Sequence, residues 1–455
     1  MGSVISVPFC LVSHTKTYYS GFFHYLCGKG RTEQYETQET ATSFLPIHPT
    51  DSPATILFKQ HARVRLFALA SNFYLYNRSH YRKDTYREDL VDNLRNVAIP
   101  GTGIPLSWMA SSRWFALPYL MTVYPAVSLV AATHYALTSG WDTTVSVGKR
   151  LTDEYARRLL APDDWFSFWR LNCEIVALHS LFNSQETQSE YDMENKWTFI
   201  KEGLDRGVPV SPILKTPALV VKHRNEEGGM GIYFYKNATE GGDWILQERI
   251  ENSDWVSSLL PAGAPLSTFR VITCSKAYAL TNGSKDVPLP LRTECVKALS
   301  CVFRAGRKGA ATDHDSIMFD VDVNTGLIRR GTKNANWYQL GASAVFSCPW
   351  RSRASQDYQT HPDGEGIAVS GNYVPDIEGM LHLVEQAHYD MCPNVPFAGW
   401  DVVLSADKNL PVCLLEVNLS CNFFRGSFDL KYYLDFIEGA LVKLQAQRLT
   451  MDAKK

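Results

Sequence analysis

Between Arg113 and Asp142 the chain runs through 28 residues, Trp114 to Trp141, without one Asp, Glu, Lys or Arg. Nothing else in the sequence limits folding so tightly. Water solvates such a stretch poorly, so it belongs inside a protein or inside a bilayer. A helix of about 20 apolar residues is enough to cross a membrane. Trp114 and Trp141 stand at the two ends, where interfacial aromatics belong. Pro118, Pro125 and His134 interrupt the run. Each proline removes a helical N–H and kinks the helix, which favours a bent, re-entrant or interfacial segment over a straight span. A buried helical pair in a soluble domain satisfies the same pattern. Both readings stand at this point.

Other features bear on the same question. The chain opens MGSVIS, and Gly2 with Ser6 fits the N-myristoylation pattern. One acyl chain anchors only marginally, so a second signal is needed. The uncharged run can supply it, and Cys10 and Cys27 are either palmitoylation sites or ordinary thiols. Residues 55–95 read as an amphipathic helical segment carrying Arg63, Arg65, Arg78, Arg82 and Arg87. Such a face suits an anionic surface or plain solvent. No basic stretch precedes an apolar one at the start, so a secretory signal is not expected. The ten cysteines include no C-x-x-C pair, which fits a reducing compartment. The expectation is a cytoplasmic protein, attached to membranes on their cytosolic face. With 45 Lys and Arg against 47 Asp and Glu, no basic excess attracts a phosphate backbone, so nucleic acid is not an expected partner.

A chain of 455 residues has room for two or three domains. Residues 1–150 are expected to be mainly helical. LTDEYARRLL and WFSFWRLNCEIVALHSLF continue helical periodicity through 151–195, and His179 there reads as a packed or capping histidine. The polar NSQETQSEYDMEN marks a boundary before a domain at 196–445.

Three patterns in that last domain carry chemistry. In TPALVVKHRNEEGGMGIYFYKN a strand read as buried ends at Lys222. Gly228, Gly229 and Gly231 follow, then the strand IYFY. Glycines let backbone N–H groups approach an anion, and a lysine at the strand end adds charge. In DWILQERIENSDW, WILQERI reads as a strand with polar residues at its end. In AGWDVVLSADKNLPVCLLEVNLSCNF two strands surround a turn at Ala406–Leu410. A hairpin symmetric about Lys408–Asn409 sets Asp401 opposite Glu416. Alternation then puts Glu416, Asn418 and Leu414 on one face and Cys413, Leu415 and Val417 on the other. Two carboxylates and an amide on one face suit Mg²⁺ bridging phosphates.

A lysine with a glycine loop, a linker strand and D…E-x-N, in that order, resembles the ATP-grasp superfamily. STFRVIT, VFRAGRKG, DVNTGLI, HPDGEGIAVSGNYVP and GWDVVLS…LLEVN are similar, in order, to blocks of its sugar-transfer-associated branch, related to alpha-L-glutamate ligases. The resemblance covers roughly residues 150–440. It implies an α+β ATP-grasp fold, with two subdomains clasping ATP, behind a mainly helical N-terminal region. By the same resemblance Lys196 and Lys222 contact ATP, and Gly228, Gly229 and Gly231 form the lid over its phosphates. Gln247, Glu248, Arg249 and Ile250 hold adenine, and Glu251 or Asp254 meets the ribose. Arg270 binds phosphate, and Asp401, Glu416 and Asn418 hold Mg²⁺. Arg304, Arg307, His314 and His361 are candidates for the acceptor, Arg304 with a catalytic part. The activity implied is an ATP- and Mg²⁺-dependent ligase joining a small-molecule carboxylate to an amine, thiol or hydroxyl through an acyl phosphate. A kinase acting on a small-molecule hydroxyl, and an inactive membrane-associated nucleotide-binding scaffold, remain as alternatives. The chain departs from the family at Asp313-His314, where Asp-Asn is usual. It also departs at Glu226 and Glu227, acids beside the expected phosphates.

Overall fold

The structure is a computed structural model that describes residues 2–27, 44–94, 98–99, 104–105, 107, 112–138, 145–162, 165–226, 230–281, 286–313, 316–333, 358–420 and 426–453. Helices dominate the first half: α1 (Gly2–Leu26), α2 (Pro53–Leu75), α3 (Tyr86–Leu94), α4 (Arg113–Pro118), α5 (Tyr124–Thr138), α6 (Val147–Leu160), α7 (Trp165–Tyr191) and α8 (Lys196–Asp205). A hairpin follows, β1 (Ala218–Lys222) with β2 (Ile232–Lys236), then α9 (Asp254–Ser258) and β3 (Thr268–Ser275). After α10 (Ala277–Thr281) and α11 (Arg292–Cys295) come β4 (Val296–Ala305), β5 (Ile317–Val321) and β6 (Ile328–Lys333). The chain closes with α12 (Ile377–Met391), β7 (Phe397–Leu404), β8 (Val412–Asn418) and α13 (Leu430–Ala453). The fold is α+β: a helical N-terminal region followed by antiparallel sheets.

Six strands form one antiparallel sheet in the order β8-β7-β3-β4-β5-β6. Its register sorts side chains by face, because directly paired residues point the same way. Phe269, Val271, Phe303, Phe319, Trp400 and Val402 share one face and lie in the core. α12 covers that face: His388 Nδ1 lies 2.7 Å from Thr273 Oγ1, and Trp400 Nε1 donates to the same hydroxyl at 2.9 Å. The opposite face changes character along its length. At one end Phe397 packs against Tyr433 and Phe436 of α13. At the other end it carries Arg270, Arg304, Asp401 and Glu416.

The helical region shares this core. One continuous cluster of buried apolar side chains runs from Tyr18 in α1 to Leu444 in α13. α2 starts where Ser52 caps it and Pro53 fixes its first turn, and it packs on α7 and α13. Arg63, expected on an exposed basic face, is almost fully buried. Its guanidinium holds Glu438 of α13 at 2.6 Å and donates to the Leu45 carbonyl at 2.7 Å. Arg82 is taken by Asp89 and Glu194, and Arg65 lies over the Tyr124 ring. Arg63 is thus withdrawn from the surface and Arg82 ties the segment to Glu194, while Arg82 and Arg87 remain exposed.

The uncharged run forms one broken helix, α4 to α5, with a π-helical turn at Tyr119–Val123 between them. Pro125 is the cause. Without an N–H it cannot donate to the carbonyl four residues back, Met121, nor to that five back, Leu120. Tyr19 and Tyr18 of α1 make good the loss, donating to Met121 O at 2.5 Å and Leu120 O at 3.1 Å. Trp141 lies outside the described residues.

Two strand assignments need correction. ALVV of β1 is largely exposed, because β1 and β2 make a two-stranded hairpin that no third strand joins among the described residues. WILQERI is not a strand; isolated bridges, one of them Ile213 to Gln247, and single backbone hydrogen bonds tie it down.

Candidate functional site

The β7–β8 hairpin sets Glu416 opposite Asp401, as symmetric closure predicts, but by another route. The turn is centred on Lys408, pairing Leu404 with Val412, and a β-bulge between Leu414 and Glu416 adds the missing residue. The bulge exchanges two neighbours. Leu414 pairs with Val402 and enters the core, while Leu415 is only half-buried, the reverse of strict alternation. Beyond the bulge Glu416 and Asn418 return to the face of Asp401.

Register carries that face into the neighbouring strands. Arg270 on β3 pairs with Asp401, and Arg304 lies on the same side of β4. The Arg270 guanidinium grips Asp401 in a fork, Nε to Oδ1 and Nη2 to Oδ2 at 2.9 Å. Arg304 Nη1 donates to the same Oδ2 at 3.5 Å and its Nη2 stands 3.1 Å from Asp313. Thr268 donates to the other Asp313 oxygen at 2.5 Å. Lys196, at the start of α8 where Asn195 caps the helix, reaches Glu416 Oε2 at 3.1 Å. Asn418 Nδ2 donates to Glu416 Oε1 at 3.3 Å.

Burial alone would raise the Asp401 carboxyl; the positive charges of Arg270 and Arg304 overcome it and hold the group below its ordinary value. Burial wins at Asp313, whose carboxyl is raised despite Arg304 and the Thr268 hydroxyl, helped by the charge of Asp401. Thr268 is the site residue that sequence reasoning missed, and Asp313 was noted there only as a departure from the family. Thr268 was findable, since it lies two residues before Arg270 and so on the same face.

The other expected residues fall elsewhere. Lys222 ends β1 opposite Ile232, in a hairpin that is not hydrogen-bonded into the six-stranded sheet. Gly231 has φ +64°, and a Cβ there would lie 2.4 Å from Glu226 Oε2, so the turn requires glycine. Gly228, Gly229, Glu227 and His314 lie outside the described residues. Gln247 and Glu248 are zipped to residues 211–213: Gln247 bridges Ile213 and Glu248 N donates to Pro212 O at 3.3 Å. Arg249 is exposed and Ile250 half-buried. The backbone of Glu251 accepts from Ala406 N at 3.0 Å, and Ser253, the cap of α9, donates from its N–H to Leu404 O at 2.9 Å. Asp254 opens α9 and is exposed. Residues 246–253 thus join the β1–β2 hairpin to the end of β7, three residues beyond Asp401. Arg307 forks onto Asp363, and His361 Nε2 lies 3.0 Å from Gly306 O in the interior, so both are engaged within the protein. A cavity of about 240 Å³ lined by His179, Lys276, Tyr278 and Lys443 opens at the far end of β3 and shares no residue with this charged face.

The donor set bears on Mg²⁺ as follows. Among the described residues no three His, Cys, Asp or Glu side chains gather into a metal-holding group. Glu416 and Asn418 stand side by side at the half-exposed end of the face, a carboxylate and an amide whose nitrogen now faces that carboxylate. Both Asp401 oxygens face guanidinium groups. A hard cation that keeps several waters fits a pair of protein oxygens with a third nearby. No protein-family model matches this chain, and no curated protein matches it.

Proposed function

We propose that this protein is an ATP-grasp ligase, which uses ATP and Mg²⁺ to activate a small-molecule carboxylate for attack by an amine. The observation that carries the reading is the charged end of the sheet face. There four strands bring Arg270, Arg304, Asp401, Glu416 and Asn418 together, and Lys196 closes on them from α8. The residues were singled out by the order of motifs, far apart in sequence. The hairpin carrying Lys222 and Gly231, joined to this face through residues 246–253, supports the same reading.

In this proposal the chain's residues position and neutralise. Arg270 and Lys196, each now paired with a carboxylate, exchange that partner for phosphate oxygens. Lys222 closes from the hairpin over the phosphates, and the backbone of residues 247–250 borders the adenine. Glu416 and Asn418 would hold Mg²⁺, with Asp401 as third oxygen donor; the bound ion would offset charge developing on the transferred phosphoryl group. Arg304, steered by Asp313, orients the substrate carboxylate. That carboxylate attacks the γ-phosphorus, the bond to ADP breaks, and the amine then displaces phosphate from the acyl phosphate.

One observation favours a second reading, nucleotide binding without turnover: both carboxylates are already neutralised by cations of the chain. Titration calorimetry with ATP and Mg²⁺, followed by assay of ADP and phosphate over panels of carboxylates and amines, separates the readings. A ligase releases free phosphate and forms an amide, a kinase leaves phosphate on the product, and a scaffold binds without turnover. Absence of ATP binding would remove all three.

A further inference from the structure

We propose that the outer face of the broken helix Arg113–Thr138, together with the N-terminal half of α1, lies in one leaflet of a lipid bilayer, with α6 on its aqueous side. The proposal does not depend on the enzymatic reading.

The face is apolar and open to the outside. The segment Ala116–Thr138 is long and apolar enough to cross a membrane, yet only 28% of its most apolar stretch is buried by the rest of the chain. Trp114, Leu117, Val123, Val130 and Leu137 point outward along it, Trp114 88% and Leu137 71% exposed. Phe9 and Val12 of α1 are exposed to a similar degree. Residues 2–15 of α1 also carry no Asp, Glu, Lys or Arg. An uncharged face of this length exceeds the scattered apolar residues of ordinary surfaces.

Hydrogen bonding identifies the occupant. The exposed threonines of this helix turn back on their own backbone: Thr122 donates to Pro118 O at 2.7 Å, Thr133 to Leu129 O at 2.8 Å and Thr138 to His134 O at 2.8 Å. The carbonyls stripped of a donor by Pro125 are served by Tyr18 and Tyr19. Hydrocarbon demands such internal satisfaction, whereas water does not. A protein partner would be met by polar anchors, about one hydrogen bond per 100–200 Å² of interface. Here the exposed threonine hydroxyls are spent on the helix's own carbonyls, and the exposed Tyr135 is an amphipathic aromatic of the kind found at a membrane interface, which fits lipid.

Packing excludes a span. The inner side of α5 presents Ser128, Ala131, Ala132 and Ala136 and lies along α6, with Tyr124 donating to Arg158 O at 2.6 Å. α1 runs beside α6 in the same direction, Val7 against Gly148 and Thr15 within 2.8 Å of Tyr155. α6 carries Lys149, Arg150, Asp153, Glu154, Arg157 and Arg158. Carrying α5 across a bilayer would carry these charges with it. Lying flat, with its outer half about 5–10 Å deep, leaves them in water.

The test is flotation of the full-length, unacylated protein with vesicles of phosphatidylcholine alone and of phosphatidylcholine with phosphatidylserine. The protein is expected to float with both, and to keep floating at high salt because the face has no charge. Val130→Asp with Leu137→Asp is expected to cut the floating fraction about tenfold or more. Its circular dichroism and melting temperature should not change, since both side chains already point outward. Failure of the wild type to float, or equal flotation of the double variant, overturns the proposal. So does a stable dimer in lipid-free sedimentation that the double variant abolishes, which would assign the face to a second copy. Depth is read with Val130→Trp: stronger quenching by bromines near the headgroup than by bromines at chain ends is expected, and the reverse order, the mark of a span, overturns the one-leaflet placement.

Discussion

Asp401 binds two arginines through one carboxylate, and this makes its two roles separable by mutation. Asp401→Asn takes from the buried Arg270 the carboxylate it forks onto and leaves Arg304 to Asp313, so a stability loss of about 3–5 kcal/mol is expected, read as a lower denaturant midpoint. The pH dependence follows from the depressed carboxyl. The folded value lies below 3.8, so the stability it contributes is complete above pH 3.8 and is lost as the pH falls through the folded value. The gap between wild type and Asp401→Asn should therefore close in acid. Glu174 on α7 works in the opposite sense. Burial pushes its carboxyl up to about 7 from 4.5, against the pull of Arg170 at 3.1 Å. A raised folded value means that its stability is complete below pH 4.5 and is lost as the pH rises through about 7. Relative to Glu174→Gln, the wild type should lose melting temperature across that window. Glu416→Gln tests the proposed chemistry instead. It keeps the shape of a half-exposed side chain and should lower ATP turnover by about 10²–10³ with little change in the melt. Near wild-type turnover at saturating Mg²⁺ would remove Glu416 from the metal set.

Local pattern made the β7–β8 hairpin legible as an element: VCLLEVN and GWDVVLS alternate around a turn, and the pairing of Asp401 with Glu416 followed. The bulge at Leu414–Glu416 did not follow, because one extra residue leaves no mark on composition. ALVV misled for a different reason. Apolar content reports what a strand can bury, not whether a neighbour is there to bury it. WILQERI has strand composition, but its partners at 212–214 are brought by tertiary structure, which no local pattern records. The broken helix was legible as uncharged and kinked, while the rescue of its carbonyls from α1, about a hundred residues earlier, was not. That rescue is testable by a double-mutant cycle. Tyr19→Phe should cost about 1–3 kcal/mol, the penalty of an unsatisfied buried carbonyl. In a Pro125→Ala background the residue at 125 supplies its own N–H, and the same change should cost much less. Equal costs in both backgrounds would show that Tyr19 acts through packing alone.

Across the whole molecule the division near residue 150, drawn on composition, is crossed by the core itself. Gln60 donates to Asp435 and Glu438, Arg63 holds Glu438, and Arg448 donates to the carbonyls of Tyr25 and Leu26. A chain beginning near residue 150 would strip α1 and α2 from α6, α7 and α13 and expose their buried faces. Such a chain is expected to be insoluble, or to bind a dye for exposed apolar surface, and a soluble, cooperatively melting fragment would contradict this. The hydrogen bonds of Gln60 and Arg63 on α2 to the carboxylates of α13 join residues some 375 positions apart. On the ribosome that separation becomes time. At about 5–20 residues per second, α2 waits roughly 20–75 s for its partner to be synthesised. Through that interval the part of its surface that α13 will cover stays open, and nascent chains are expected to engage chaperones until α13 leaves the exit tunnel.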